Sequence, residues 1–83
     1  MKILIVEDEK AIANLIDMNL TACGYQCVTV GDGMAAADLI EETTFDLILL
    51  DIMLPGANGF ELMEQIRPTG TPVIFITALG SVN

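Results

Sequence analysis

Four aliphatic residues run directly into an acid in the segment Leu47-Ile48-Leu49-Leu50-Asp51. A continuous aliphatic run of this length is typical of a parallel β-strand that is buried on both faces. A carboxylate at the end of such a strand is costly to desolvate, which indicates a chemical role for Asp51. The chain begins in the same way, because the run Ile3-Leu4-Ile5-Val6 is followed at once by Glu7 and Asp8.

Strand-like and helix-like segments alternate along the whole chain and predict an α/β fold. We predict strands over Lys2–Glu7, Gln26–Val30, Leu47–Ile52 and Pro72–Thr77, and helices over Glu9–Cys23, Met34–Thr43 and from Asn58 to just before Pro68. We predict a doubly wound parallel sheet with strand order 2-1-3-4 and right-handed connections. The first helix then covers one face of the sheet, and the next two helices cover the other.

Local signals refine these elements. Asp8 is a candidate N-cap for the first helix, and Asn58 with Glu61 resembles a capping box for the third. The fourth strand is predicted to be buried through its run Val73–Ile76. We expect the following apolar residues to face the sheet from the first two helices: Ile12, Leu15, Ile16, Leu20, Ala36, Leu39 and Ile40.

The three strand-end acids are expected to meet, because the carboxyl ends of parallel strands share one edge of a sheet. Glu7, Asp8 and Asp51, with the main-chain carbonyl of Met53, offer the oxygen ligands that Mg²⁺ prefers. A cation there lets a phosphate dianion approach Asp51, whose carboxylate can act as a nucleophile and form an acyl phosphate. The alternative is structural, with Asp8 capping its helix and Asp51 opening a turn.

Thr77 ends the predicted fourth strand at the same edge of the sheet. Its hydroxyl is placed to donate a hydrogen bond to a phosphoryl oxygen. Threonine is also a common strand residue, so a purely structural role for Thr77 remains open.

Composition limits the class of protein. Eighty-three residues suit one small domain, and 12 acids against 3 basic residues give a net charge of −9,. This balance repels nucleic acid and favours cations or basic partner surfaces. With two cysteines and no histidine, the chain lacks the ligands of a structural zinc site,. No apolar run approaches the ~20 residues of a membrane span, and the start is no signal peptide, so we expect a cytoplasmic protein.

Three segments carry a resemblance to a known family: Ile3–Glu9, Asp46–Gly59 and Pro72–Ala78. Together they resemble the receiver domain of two-component response regulators. The resemblance implies a flavodoxin-like fold in which Asp51 is the phosphoacceptor. It also implies that Glu7, Asp8, Asp51 and the Met53 carbonyl hold Mg²⁺, and that Thr77 contacts the phosphoryl group. The implied donor is a sensor histidine kinase. Such a receiver catalyses its own phosphorylation and dephosphorylation and is not a turnover enzyme.

The resemblance extends to the loop Met53-Leu54-Pro55-Gly56, which is similar to that of regulators with a winged-helix DNA-binding domain. It implies that the longer parent protein controls transcription. Direct nucleic acid contact by this chain is not expected, because of its net charge of −9,.

The chain also departs from that family. Family members continue with a helix, a strand and a helix that carry a phosphate-binding lysine and a switching aromatic residue. Here no lysine follows Lys10 and no aromatic residue follows Phe75. We therefore expect residues 1–83 to be one C-terminally truncated receiver domain. Its fourth strand would be an open apolar edge that favours a homodimer or other self-association.

The sequence leaves two other functions open. One is a non-catalytic dimerising fragment with an impaired phosphorylation site. The other is a haloacid-dehalogenase-like phosphatase, a class that places a second aspartate two residues after its nucleophile, where this chain has Met53. Nucleotide binding is disfavoured because neither a Walker loop nor a G-x-G-x-x-G motif follows the first strand.

Overall fold

A computed structural model describes residues 1–51 and 59–76. Four parallel strands form one sheet in the order 2-1-3-4, which confirms the predicted fold class and strand order. The strands are β1 (Lys2–Val6), β2 (Gln26–Val30), β3 (Leu47–Asp51) and β4 (Val73–Ile76). The helices are α1 (Lys10–Ala22), α2 (Gly33–Glu42) and α3 (Gly59–Ile66), and a 3₁₀ turn over Arg67–Thr69 follows α3.

The sheet separates two apolar clusters of unequal size. The larger cluster lies on the side of α2 and α3 and includes alternate residues of β1 and β3. Its members are Leu4, Val6, Ala36, Ile40, Phe45, Ile48, Leu50, Leu62 and Ile66. The smaller cluster contains Ile3, Ile5 and Leu49 and packs against Ile16 and Leu20 of α1. This division confirms that one helix lies on one face and two on the other. The central strands β1 and β3 are therefore buried on both sides, as their aliphatic runs require.

The predicted burial of the fourth strand is wrong. No residue of β4 is fully buried, and Ile74 and Phe75 are 52% and 49% exposed. The cause is position, because β4 lies at the edge of the sheet and pairs only with β3 among the described residues. An aliphatic run indicates a strand but does not tell a central strand from an edge strand.

The predicted inward face of α1 is also partly wrong, because Leu15 is 60% exposed. Ile12, Ile16 and Leu20 fall within about 80° of one another at 100° per residue, and Leu15 lies about 60° outside that arc. Only Ala13 of this helix is fully buried. In α2, by contrast, Ala36 and Ile40 are buried and Leu39 packs against the larger cluster, as predicted.

The helix starts differ in how they are capped. Helix α2 begins as expected for a capped helix, because the Asp32 carboxylate accepts a hydrogen bond from the Ala35 N–H at 2.8 Å. Helix α1 begins one residue later than predicted, with Glu9 as its N-cap and no side-chain cap bond. The interpretation of Asp8 as a cap is therefore wrong. Asn58 of the predicted capping box lies outside the described residues.

The third helix ends as predicted, at Ile66, and Pro68 lies within the 3₁₀ turn that follows. Across residues 1–51 and 59–76, no helix has the length and apolar character needed to cross a membrane.

Candidate functional site

The pairing of β1 with β3 brings the strand-end acids together. Val6 is in register with Leu50, so the next residue on each strand is an acid, Glu7 on one and Asp51 on the other. Asp8 follows Glu7 in the connection to α1. One carboxylate oxygen from each of the three acids lies within 4.8 Å of the other two. The sequence prediction that these acids converge at one edge of the sheet is thus confirmed by the geometry.

The three acids differ in their access to solvent. Glu7 and Asp51 are 3% and 1% exposed, whereas Asp8 is exposed. Two buried carboxylates at this separation repel each other through a medium that screens poorly. A cation that enters from the side of Asp8 would relieve this repulsion.

Glu7 has one satisfied and one unsatisfied carboxylate oxygen. Its Oε2 accepts a hydrogen bond from the Glu9 N–H at 3.0 Å. Its Oε1 is buried and has no hydrogen-bond partner within the part of the chain that the structure describes. Buried polar atoms are usually paired, so an orphaned carboxylate oxygen beside two further carboxylates fits a cation ligand. The donor set consists of oxygens alone, which suits Mg²⁺ rather than a softer transition metal.

Electrostatics support the same interpretation. Burial raises the pKa of the Glu7 carboxyl above its usual value. The hydrogen bond from the Glu9 N–H opposes this rise, and the nearby negative charge of Asp51 adds to it. Without a counter-ion, Glu7 therefore holds its proton more tightly than an isolated carboxyl group does,. A bound divalent cation would reverse this preference.

The local backbone explains why Glu7 and Asp8 are available as ligands. The Glu7 N–H donates to the Val30 carbonyl at 3.0 Å, which holds the end of β1 against β2. The N-cap of α1 is Glu9, so the Asp8 carboxylate does not cap this helix and lies within the acidic cluster.

Two of the predicted site residues cannot be placed beside the acids. The Met53 carbonyl and the Thr77 hydroxyl both belong to segments outside the described residues, so their roles stay predictions.

The structure adds a feature that sequence reasoning missed. An open groove of about 400 Å³ adjoins two of the acids, and its lining includes Glu7, Asp8, Lys10 and Asn14. The spacing of Lys10 and Asn14 by four residues on one helix is the signal that could have indicated it.

Comparison with known proteins identifies the family. The family model of the response regulator receiver domain matches residues 3–83, nearly the whole chain. The chain belongs to the response regulator receiver domain family. The sequence-based resemblance to receiver domains is thereby confirmed, as is the flavodoxin-like fold.

Solved receiver domains resemble this one closely. The receiver domain of a Francisella response regulator is 34% identical over 98% of this chain and 69% of its own, with a TM-score of 0.84. The receiver domain of a Pseudomonas aeruginosa sensor histidine kinase is 31% identical over 99% of this chain and 70% of its own, with a TM-score of 0.86. Its structure holds a magnesium ion coordinated in the active-site cleft.

A third similar structure contains Mg²⁺ and BeF. The response regulator TrrA of Thermotoga maritima, in complex with Mg²⁺ and BeF, is 34% identical over 93% of this receiver domain and 69% of its own chain. The TM-score is 0.83. The chain thus spans about seven-tenths of the length of these three relatives.

Proposed function

We propose that this receiver domain accepts a phosphoryl group on Asp51 in a Mg²⁺-dependent reaction. The observation that carries the proposal is the cluster of Glu7, Asp8 and Asp51, whose carboxylate oxygens lie within 4.8 Å of one another. The Oε1 of Glu7, which is buried and has no hydrogen-bond partner among the described residues, supports a cation at this cluster. Magnesium is present in the structures of two similar proteins, in one of them within the active-site cleft, and this supports the choice of ion.

Each residue has a distinct role in this proposal. Glu7 and Asp8 hold the cation together with Asp51, and the Met53 carbonyl completes the protein ligands. The cation supplies positive charge that offsets the repulsion between the carboxylate and the incoming phosphoryl group. Thr77 donates a hydrogen bond to a phosphoryl oxygen.

The transfer itself involves one bond formed and one bond broken. An oxygen of the ionised Asp51 carboxylate bonds to phosphorus while the P–N bond of a donor phosphohistidine breaks. The electron pair of that bond leaves with the imidazole nitrogen, so the protein needs no oxidant or second co-reactant. Water later cleaves the acyl phosphate, which returns Asp51 and releases inorganic phosphate.

The expected donor is the phosphohistidine of a sensor histidine kinase, or a small phosphodonor in its absence. The phosphoryl group adds about −1.5 to −2 charges to the cleft, and this change is the signal. In a longer parent protein the signal would control an output, with transcription as the proposed process and the cytoplasm as its location. The chain undergoes modification in this scheme and is not a turnover enzyme.

The test is modification of the 83-residue chain by acetyl phosphate with and without MgCl₂, followed by intact-mass spectrometry. We expect the mass to rise by one phosphoryl group only with Mg²⁺, and the modified peptide to contain Asp51. Asp51→Asn removes the nucleophile and should abolish the modification. Asp38→Asn makes the same change at an exposed position on α2 and should leave it intact.

The outcomes separate the candidate functions. Equal modification of the wild-type, Asp51→Asn and Asp38→Asn chains would contradict the assignment of Asp51. A folded wild-type chain that is never modified would favour the impaired association fragment. Repeated turnover of a phosphate monoester, with Asp51 regenerated each time, would favour the phosphatase.

A further inference from the structure

The groove beside the acidic cluster lies on the side of β1 that faces away from Asp51. Its volume is about 400 Å³, and it is lined by the ends of β1 and β2 and by the first two turns of α1, through Glu7, Asp8, Lys10, Asn14, Thr29 and Gly31. In the strand order 2-1-3-4, β1 separates β2 from β3, the strand that carries Asp51. The groove therefore shares Glu7 and Asp8 with the acidic cluster and lies across β1 from the predicted nucleophile.

Lys10 is the basic side chain of this groove. The chain has three basic residues. Lys2 has its Nζ 6.0 Å from the centroid of the Phe45 ring. Arg67 pairs with Glu64 at 2.9 Å. Lys10 is exposed and forms no ion pair within the part of the chain that the structure describes. Its ammonium group is therefore available to an anion in the groove.

The position of Lys10 is not explained by helix stability. It is the first residue of α1, where the partial positive charge of the helix N-terminus repels a basic side chain,. The first turn contains no acid, and the N-cap Glu9 makes no side-chain bond. A small anion in the groove would be attracted both by Lys10 and by the N-terminal N–H groups of α1.

The same groove contains an unsatisfied group of opposite charge. Glu7 is 3% exposed, and its Oε1 has no hydrogen-bond partner among the described residues. A buried carboxylate oxygen of this kind fits a cation ligand. The groove thus offers a cation position at Glu7 and an anion position at Lys10, a combination that suits the magnesium complex of a small anion.

The direction of phosphoryl transfer relates the groove to Asp51. In such a transfer the attacking and leaving atoms lie roughly in line, on opposite sides of phosphorus. In the proposed reaction Asp51 attacks from β3, and the phosphoryl group lies beside Glu7 and Asp8 at the end of β1. The leaving group then lies toward β2, on the side of β1 where the groove opens.

We propose that this groove binds the leaving group of small acyl phosphate donors, with Lys10 and Asn14 in contact with the departing carboxylate. This role of the groove rests on the proposed phosphorylation of Asp51. A carboxylate oxygen of Asp51 bonds to phosphorus while the P–O bond to the acyl group breaks, and the electron pair of that bond stays on the acyl oxygen. The Lys10 ammonium group stabilises the negative charge that develops on this oxygen. The side-chain amide of Asn14 donates a hydrogen bond to the other carboxylate oxygen.

The leaving group decides which donors benefit from Lys10. An acyl phosphate releases a carboxylate anion, whereas phosphoramidate releases ammonia, which carries no negative charge. If Lys10 acted only as a general counter-ion for the acids, it would favour both donors equally. The two classes of donor therefore distinguish a leaving-group subsite from general electrostatic attraction.

The first test measures the rate of phosphorylation of the 83-residue chain against donor concentration in MgCl₂, by intact-mass spectrometry. With acetyl phosphate, Lys10→Gln should raise the half-saturating concentration about threefold to fivefold, as for loss of an exposed charged contact, and Lys10→Arg should restore it. With phosphoramidate, Lys10→Gln should behave as the wild type does.

The control is Lys2→Gln, which makes the same change at the other end of β1 and should match the wild type with both donors. Circular dichroism of each variant verifies that it is folded. An unchanged half-saturating concentration of acetyl phosphate in Lys10→Gln, or equal losses with both donors, would overturn the proposal.

A second test does not require phosphoryl transfer. Phosphonoacetate carries a phosphonate and a carboxylate but cannot donate a phosphoryl group, and methylphosphonate lacks the carboxylate. In an NMR titration with MgCl₂, phosphonoacetate should shift the N–H signals of Lys10, Asn14 and Gly31. Lys10→Gln should weaken the binding of phosphonoacetate about threefold to fivefold and leave that of methylphosphonate unchanged.

The two tests separate the subsite from the proposed function. Absence of these shifts would overturn the subsite even if Asp51 is phosphorylated. Binding of phosphonoacetate at Lys10 in a wild-type chain that is never phosphorylated would support the subsite and contradict the proposed function.

Discussion

Glu7 is the residue whose protonation the fold changes most clearly. It is almost fully buried, and burial is the main reason that its pKa lies above the usual value of 4.5. At pH values between the unfolded-state and native-state pKa of Glu7, the native protein binds more protons than the unfolded chain does. Without a divalent cation, the contribution of Glu7 to stability therefore falls as pH rises from about 4.5 through the raised native pKa,. Above that pKa the destabilisation is constant.

Glu7→Gln should remove this pH dependence, because the amide has the same shape and no charge. Its oxygen can still accept from the Glu9 N–H, and its NH₂ group can donate to the neighbouring carboxylates. In EDTA at pH 7 we expect the variant to be more stable than the wild type by on the order of 1 kcal/mol. Urea unfolding at several pH values measures this difference.

The matched control is Glu41→Gln, at an exposed position of α2. It removes one negative charge without touching the cluster, so it should change stability little and leave the pH dependence of the wild type in place. Equal gains from both variants would mean that net charge, rather than burial of Glu7, causes the effect.

The helices illustrate how much one capping side chain contributes. Helix α2 has the Asp32 cap, whereas the N-cap of α1, Glu9, makes no side-chain bond. Asp32→Ala should therefore cost about 1 kcal/mol in the free energy of unfolding, the usual loss for an N-cap aspartate. Chemical denaturation measures this loss in the free energy of unfolding, and the m-value should be unchanged.

Glu9→Ala is the comparison at the other helix start. It removes a side chain that caps nothing and leaves the backbone N–H that bonds to Glu7. The expected change is within about 0.5 kcal/mol, as for ordinary surface substitutions. If Asp32→Ala and Glu9→Ala lowered the free energy of unfolding equally, the hydrogen bond from the Ala35 N–H to Asp32 would not be the cause of the loss in Asp32→Ala.

The sequence predicted the helices and strands well, but it predicted the burial of their residues less well. Strand β2 matches its predicted bounds, and the predicted strand order 2-1-3-4 is the observed one. The exposure of β4 and of Leu15 was not predictable from aliphatic periodicity, which records that a segment is apolar but not what covers it. The misassigned Asp8 cap has a similar cause, because the bond between Glu7 and the Glu9 N–H depends on local geometry.

The candidate site was more predictable than the packing. Acids at the ends of two strands are brought together by sheet topology, so Glu7 and Asp51 needed only the strand order to be placed. The sequence could not predict the burial of Glu7 or the lack of a hydrogen-bond partner for its Oε1 among the described residues, since both depend on the connection that follows β1. The groove beside Lys10 and Asn14 likewise forms only when α1 packs beside the end of β2.

Across the whole molecule, the net charge of −9 and the acidic cluster both favour bound cations, and these two effects must be separated. General screening acts on every surface charge and depends on ionic strength. A specific site binds Mg²⁺ in the native state alone and stabilises it by mass action, by about 2.7 kcal/mol at a hundredfold excess over the dissociation constant. Thermal unfolding in MgCl₂ should therefore occur at higher temperature than in NaCl of equal ionic strength.

Asp8→Asn and Asp38→Asn separate the two effects, because each removes one exposed negative charge and only the first belongs to the cluster. Asp8→Asn should lose most of the Mg²⁺-dependent stabilisation, whereas Asp38→Asn should keep it. In the wild type, Mg²⁺ should also reverse the unfavourable pH dependence caused by Glu7, since the bound cation favours the ionised carboxylate. If Mg²⁺ stabilised both variants equally, the acids would act as a diffuse negative surface, and the proposed phosphoryl chemistry of Asp51 would lose its cation.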